Sequence, residues 1–109
     1  MEKQVRVLPD AGGVRVIVCE GDFDADSIES LRSAGRAALT DPGLRRIAVD
    51  VKGLTFADSS VLNELVLLLR SGRLVLVGPL PRQLVRLFDL TGTTDLFTVV
   101  KSLEAVRAA

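Results

Sequence analysis

Short apolar runs alternate with amphipathic stretches along most of this chain, and that alternation limits the folds open to it. Val14 to Cys19, Arg46 to Val51 and Leu74 to Val77 are rich in β-branched and aliphatic residues. Each is followed by a longer segment with apolar residues at helical spacing. Strands that alternate with helices pair in parallel through right-handed crossovers. Leu74 to Val77 is apolar at every position, as expected of a strand covered on both faces.

The opening differs. Gln4 to Leu8 alternates polar and apolar residues, and Pro9-Asp10-Ala11-Gly12-Gly13 is a turn cluster. The first strand therefore forms a hairpin with the second. Asp26 and Glu29 have capping-box spacing, so a helix is expected with Ile28, Leu31, Gly35, Ala38 and Leu39 on one face. It should stop near Thr40, before Asp41-Pro42-Gly43. After Arg46 to Val51, Lys52-Gly53 reads as a turn. Asp58-Ser59-Ser60 then opens a helix over Val61 to Arg70. Pro81 stands near the start of a third helix, with Leu84, Leu87 and Phe88 inward and Gly92 as its C-terminal cap. Phe97 to Val100 is a final strand, and Ser102 caps a short helix through Val106. The fold class is α/β: one domain over residues 1–109, with a mixed sheet of about five strands and about four helices.

Composition removes many functions. A chain of 109 residues has room for one core. It is 48% hydrophobic and 26% charged, which excludes a disordered polar tail. Lys plus Arg equals 14 and Asp plus Glu equals 14, so no basic excess is available for phosphate backbones. With four Phe and no Trp or Tyr, stacking platforms are scarce, and nucleic acid is not an expected partner. There is one Cys and no His, so no internal disulfide, zinc site or His-assisted nucleophile is expected. Cys19 reads as a small core residue. No apolar run approaches the roughly 18–20 residues of a membrane span. The N-terminus lacks the pattern of a signal peptide, so the cytoplasm is the expected compartment.

The most informative segment is Leu54-Thr55-Phe56-Ala57-Asp58-Ser59-Ser60-Val61-Leu62. It joins a strand to a helix, the place where α/β folds put function. A hydroxyl there stands at a helix N-terminus, where backbone N–H groups and the helix dipole favour an anion. Phosphorylation of Ser59 would add about −1.5 to −2 charges at that end. A partner surface shaped for an uncharged hydroxyl would then be rejected. Capping by Asp58, Ser59 and Ser60 is the simpler role, and the two are compatible.

This segment resembles the STAS domain, specifically that of bacterial anti-sigma factor antagonists. Their pattern is a buried strand, a short loop, then Asp-Ser-Ser/Thr-Gly-Leu opening a helix, against Asp58-Ser59-Ser60-Val61-Leu62 here. Gly21-Asp22-Phe23-Asp24 is similar to the family's Gly-x-Leu-Asp. Leu74 through Pro81, then Leu87-Phe88-Asp89-Leu90-Thr91-Gly92, resembles its strand, proline turn and Leu-Phe-x-x-x-Gly helix. Asp95-Leu96-Phe97 and Ser102-Leu103-Glu104-Ala105 resemble its close.

The resemblance implies a partner-switching protein. Unphosphorylated, it would bind an anti-sigma factor that is also a GHKL-type serine kinase, and so free a sigma factor. The kinase would phosphorylate it, and a PP2C-like phosphatase would reverse this. The implied acceptor is Ser59, with Ser60 at the second Ser/Thr position. Asp24, Asp58, Ser60, Val61 and Asn63 are the implied partner-binding residues. No cofactor is implied, since ATP and Mg²⁺ belong to the kinase. The family usually has Gly at Val61, where the lack of a side chain permits close approach of a partner. Valine there either alters partner choice or closes the site to a kinase.

The alternative is a STAS adaptor subunit of another complex, such as a lipid-transport ATPase or a signalling assembly, without phosphorylation control. An enzyme is not expected. Asp24, Asp58, Ser59 and Ser60 are the converging polar set, and they lack a His base or a phosphate-cradling loop. In the helix after the site, Leu62, Val66 and Leu69 fall near one face at 100° intervals, with Leu65 at the flank. An apolar strip left over on this helix is either a docking surface or covered by neighbours. Arg82 and Arg86 lie one turn apart and read as a solvated basic face.

Overall fold

The computed structural model describes residues 4–108. The signal-peptide reading of the N-terminus rests on residues that lie partly outside them. Five strands form one sheet in the order β1-β2-β3-β4-β5. β1 (Gln4–Val7) pairs antiparallel with β2 (Val14–Phe23). β3 (Arg46–Ala57), β4 (Leu74–Val77) and β5 (Val99–Val100) then follow in parallel. The helices are α1 (Glu29–Leu39), α2 (Ser59–Leu69), α3 (Arg82–Thr91) and α4 (Leu103–Ala108). The α/β class, the opening hairpin and the mixed sheet are as expected.

Strands laid down in sequential order place successive crossovers of one hand on the same face of the sheet. α1, α2 and α3 accordingly share one core with Ile17, Ile47, Val49, Val51 and Leu76, into which Leu31, Leu65, Leu68, Leu84 and Phe88 are buried. The other face holds a smaller cluster of Val14, Val16, Val18, Ala48, Val75 and Val77, covered by Val106 of α4. β4 is buried at all four positions because it lies between both layers.

Several boundaries differ from expectation. β2 and β3 do not stop at Cys19 and Val51. They stay paired to Phe23 and Ala57 through two register shifts, one between Val18 and Glu20 and one between Gly21 and Asp22. Lys52-Gly53 is therefore part of a bulge and not a turn. The fit there is close: a Cβ on Gly53 would stand 3.0 Å from Glu20 Cγ, so the Glu20 side chain would have to give way. The bulged extension carries the end of β3 to the site loop.

The Asp26–Glu29 capping box does not form. α1 starts at Glu29 after Ile28, with no side-chain cap. Asp24 takes the donors instead: its Oδ1 accepts from the Asp26 amide at 3.0 Å and from Ser27 Oγ at 2.9 Å. Such local side-chain bonds compete with helix initiation. The C-terminal end of α1 is closed from afar by Arg73, whose guanidinium donates to the carbonyls of Leu39, Asp41 and Leu44 at 2.9–3.1 Å. The Leu39 carbonyl is one that the helix terminus leaves unpaired, and the Asp41 and Leu44 carbonyls lie in the loop that follows.

β5 is shorter than expected because Phe97 turns into the core and stacks on Phe88, with ring centroids 4.6 Å apart. A 3₁₀ turn, Thr94–Leu96, precedes it. Gly92 ends α3 in the left-handed region (φ 69°), as its position implied. Ser102 caps α4, accepting from the Ala105 amide at 3.2 Å.

Candidate functional site

The end of β3 and the start of α2 form the centre of the site. Asp58 is the N-cap of α2, and its Oδ1 accepts from the Ser60 amide at 2.8 Å. Its backbone carbonyl accepts from the Val61 amide at 3.1 Å. The helix thus begins at Ser59, earlier than the expected Val61, because Asp58 alone supplies the cap. The other oxygen of Asp58 accepts from the Ala25 amide at 3.1 Å. One carboxylate therefore ties the α2 N-terminus to the β2–α1 loop, and it brings Asp24 beside the Ser59 turn.

Ser59 is exposed, and its hydroxyl makes no hydrogen bond among the described residues. Ser60 is half-buried, with its amide committed to Asp58. Asn63 is exposed one turn after Ser59 and shares its face. Asp24 is exposed and shapes its loop through Asp26 and Ser27. Asp24, Asp58, Ser59, Ser60 and Asn63 are brought together. Val61 is not part of this surface: it is only 1% exposed and packs in the core. The expected bulk beside the acceptor is directed inward, because position 61 faces the sheet once the helix starts at Ser59. Its shared face is Val61, Leu62, Leu65 and Leu68, while Val66 and Leu69 are only half-buried. The helix is so broadly apolar that its hydrophobicity did not select the buried face.

Two residues beside the site carry no distinctive motif. Gln83, in the first turn of α3, clamps the backbone of Ala57. Its Nε2 donates to the Ala57 carbonyl at 2.6 Å, and its Oε1 accepts from the Ala57 amide at 2.9 Å. This fixes α3 against the loop, and a lone amide side chain gives no signal of it. Phe56 is the exception among the four phenylalanines: Phe23, Phe88 and Phe97 are buried, but Phe56 is 44% exposed at the end of β3. An aromatic residue two positions before Asp58-Ser59-Ser60 is the signal that points to it.

The arrangement suits recognition more than reaction. Asp22, Asp24, Asp26 and Asp58 make this edge acidic, and the Asp22 carboxylate is held by the Thr55 hydroxyl. No His, Lys or Arg lies in residues 21–28 or 56–61. Cys19 is remote from this role: burial pushes its thiol up to about 12. Arg82 and Arg86 are exposed and form no ion pair among the described residues. Among those residues, no helix is long and apolar enough to cross a membrane.

The family model described as the Mlab, STAS domain matches residues 8–101. No curated protein sequence matches the chain. Among solved structures, the anti-sigma factor antagonist SpoIIAA in its unphosphorylated form is similar, with 20% identity and a TM-score of 0.78 over 96% of this chain and 95% of that one. The phosphorylated form of SpoIIAA, a Bacillus cell fate determinant, is also similar, with 20% identity, a TM-score of 0.73 and coverage of 96% and 98%. An anti-sigma factor antagonist from Mycobacterium paratuberculosis has 22% identity and a TM-score of 0.76, with coverage of 98% and 92%. The fold is thus shared with these proteins over nearly their whole length, and with the family model matching residues 8–101 the chain belongs to the STAS domain family.

Proposed function

We propose that this chain is an anti-sigma factor antagonist, a binding module and not an enzyme, switched off by phosphorylation of Ser59. The observation that carries the reading is the Ser59 hydroxyl, exposed in the first turn of α2 beside Asp24 and Asp58. Unphosphorylated, the surface of Asp24, Asp58, Ser60 and Asn63 docks on a GHKL-type anti-sigma factor kinase and releases its sigma factor. A phosphate on Ser59 adds about −1.5 to −2 charges next to two carboxylates. The helix N-terminus tolerates that charge, so the fold persists while the docking surface is lost. A PP2C-like phosphatase restores it. ATP and Mg²⁺ act in the kinase. Similarity in fold to a protein solved with and without its phosphate supports this reading.

A second reading is a STAS adaptor of another complex, such as a lipid-transport ATPase, in which Ser59 is an interface residue. The matching family model is described as the Mlab, STAS domain, a description that does not confine the chain to the antagonists. One experiment separates the two. The chain is incubated with ATP, Mg²⁺ and each candidate GHKL-type anti-sigma factor of the same genome, and the product is weighed intact. A gain of one phosphate, about 80 Da, that is lost in Ser59→Ala supports the switch. Binding without phosphate transfer from any candidate overturns phosphorylation control. Absence of binding to every candidate overturns the antagonist and leaves the adaptor.

A further inference from the structure

α1 and α2 lie side by side on the sheet and leave an open groove of about 310 Å³ between them, lined mainly by aliphatic side chains. Leu31, Gly35 and Leu39 form one wall, and Leu67 and Leu68 the other. Gly35 leaves the floor low, and a methyl group there would rest on Leu68 Cδ2 at an ordinary van der Waals distance of 3.5 Å. Leu31 and Leu68 are buried beneath, whereas Leu67 is 43% exposed at the rim.

Two charged residues also line the groove, and they differ. The Glu64 carboxylate is engaged by Arg32 Nε at 3.4 Å. Arg36, one turn along α1 from Arg32, is exposed and has no ion-pair partner among the described residues. Glu29, which shares Arg32, does not line the groove. The unmatched charge at the groove is therefore a guanidinium, a group suited to bidentate carboxylate recognition.

We propose that this groove binds a small amphiphile with an aliphatic chain and a carboxylate head. The chain lies over Gly35 between Leu31, Leu39, Leu67 and Leu68, and the head meets the Arg36 guanidinium. The volume stands at the lower end of the roughly 300–1,000 Å³ typical of ligand sites. From Leu31 to Leu39 the wall runs about 12 Å at 1.5 Å per residue, which suits a medium-length chain. Apolar walls supply affinity and the single cation sets head-group polarity. This site is independent of the Ser59 reading.

The test is a titration of the full chain, labelled at leucine methyl groups, with decanoate, decylammonium and decanol, followed by NMR at each of two protein concentrations. Saturable decanoate shifts centred on Leu31, Leu39, Leu67 and Leu68 are expected, with decylammonium about ten-fold weaker or worse. Arg36→Gln should weaken decanoate about ten-fold and leave decanol unchanged. Leu67→Glu should weaken both chains. Both positions face solvent, so an unchanged amide spectrum confirms that the variants are folded. Absence of saturable shifts overturns the proposal, as do shifts spread over other leucines. Equal binding of decanoate and decylammonium overturns the carboxylate assignment. Groove shifts that depend on protein concentration and not on decanoate would mean that a second copy covers the groove, and would overturn it also.

Discussion

The Asp58 carboxylate accepts the Ala25 backbone amide across 33 residues of chain, while its other oxygen caps α2 at Ser60. Two loops that meet at the proposed docking surface thus share one side chain. Asp58→Ala should cost about 1–2 kcal/mol in urea unfolding through loss of the cap. The β2–α1 loop should also exchange its Ala25 amide faster. Asp58→Asn keeps one acceptor oxygen, so it should retain part of the stability. An unchanged Ala25 exchange rate in Asp58→Ala would show that the tie is not formed in solution.

Ser59→Asp should abolish binding to the cognate partner if the switch operates, because a fixed carboxylate stands where an uncharged hydroxyl is needed. Ser59→Ala should bind within a few-fold of the parent. Calorimetry on the two variants checks both. Equal affinity of the parent and Ser59→Asp would remove the charge-exclusion mechanism.

Phe56 is the exposed aromatic residue at the end of the strand that leads into Asp58. Exposed aromatic residues beside a polar site commonly anchor interfaces. Phe56→Ala should therefore weaken partner binding by about 2 kcal/mol, or roughly thirty-fold. Thermal stability should change far less than it would for a buried phenylalanine such as Phe88.

Val61 is a core residue and not part of the docking surface. Val61→Gly, which restores the residue more usual in the family, should destabilise by about 2–4 kcal/mol through a cavity and a helix glycine. If the folded fraction still takes up phosphate at the parent's rate, Val61 is neutral to the kinase. A large increase in rate would mean that valine obstructs it through the backbone of the first turn.

Cys19 is buried, and its thiol is pushed up from its ordinary 9.0 to about 12, chiefly by burial and then by the nearby Asp50 carboxylate. The unfolded thiol ionises near its ordinary value while the folded one stays protonated. Between about pH 9 and pH 12 the unfolded state binds fewer protons, so stability falls as pH rises. Cys19→Ala should flatten that alkaline slope. The folded chain should also resist a thiol reagent at pH 8 until denaturant is added.

Much of the architecture is visible along the chain. β-branched runs, the Pro9–Gly13 turn, the Asp58 cap and Gly92 are local signals, since each acts on the dihedral angles or hydrogen bonds of its own neighbourhood. They suffice for the element order, and the parallel sheet follows from chirality. The Asp-Ser-Ser segment marks the site for the same reason, because cap and acceptor are adjacent. The rest depends on partners distant in sequence. The β2–β3 ladder overrode the apparent Lys52-Gly53 turn by adding paired backbone bonds through two bulges. Asp24 diverted the expected capping box, and Gln83 reached Ala57 across 26 residues. The inward face of α2 was settled by its start at Ser59 and by packing on the sheet, since its seven apolar residues among eleven spread around the helix. Burial of Val61, exposure of Phe56 and the groove beside Arg36 follow from that packing, which no local pattern encodes.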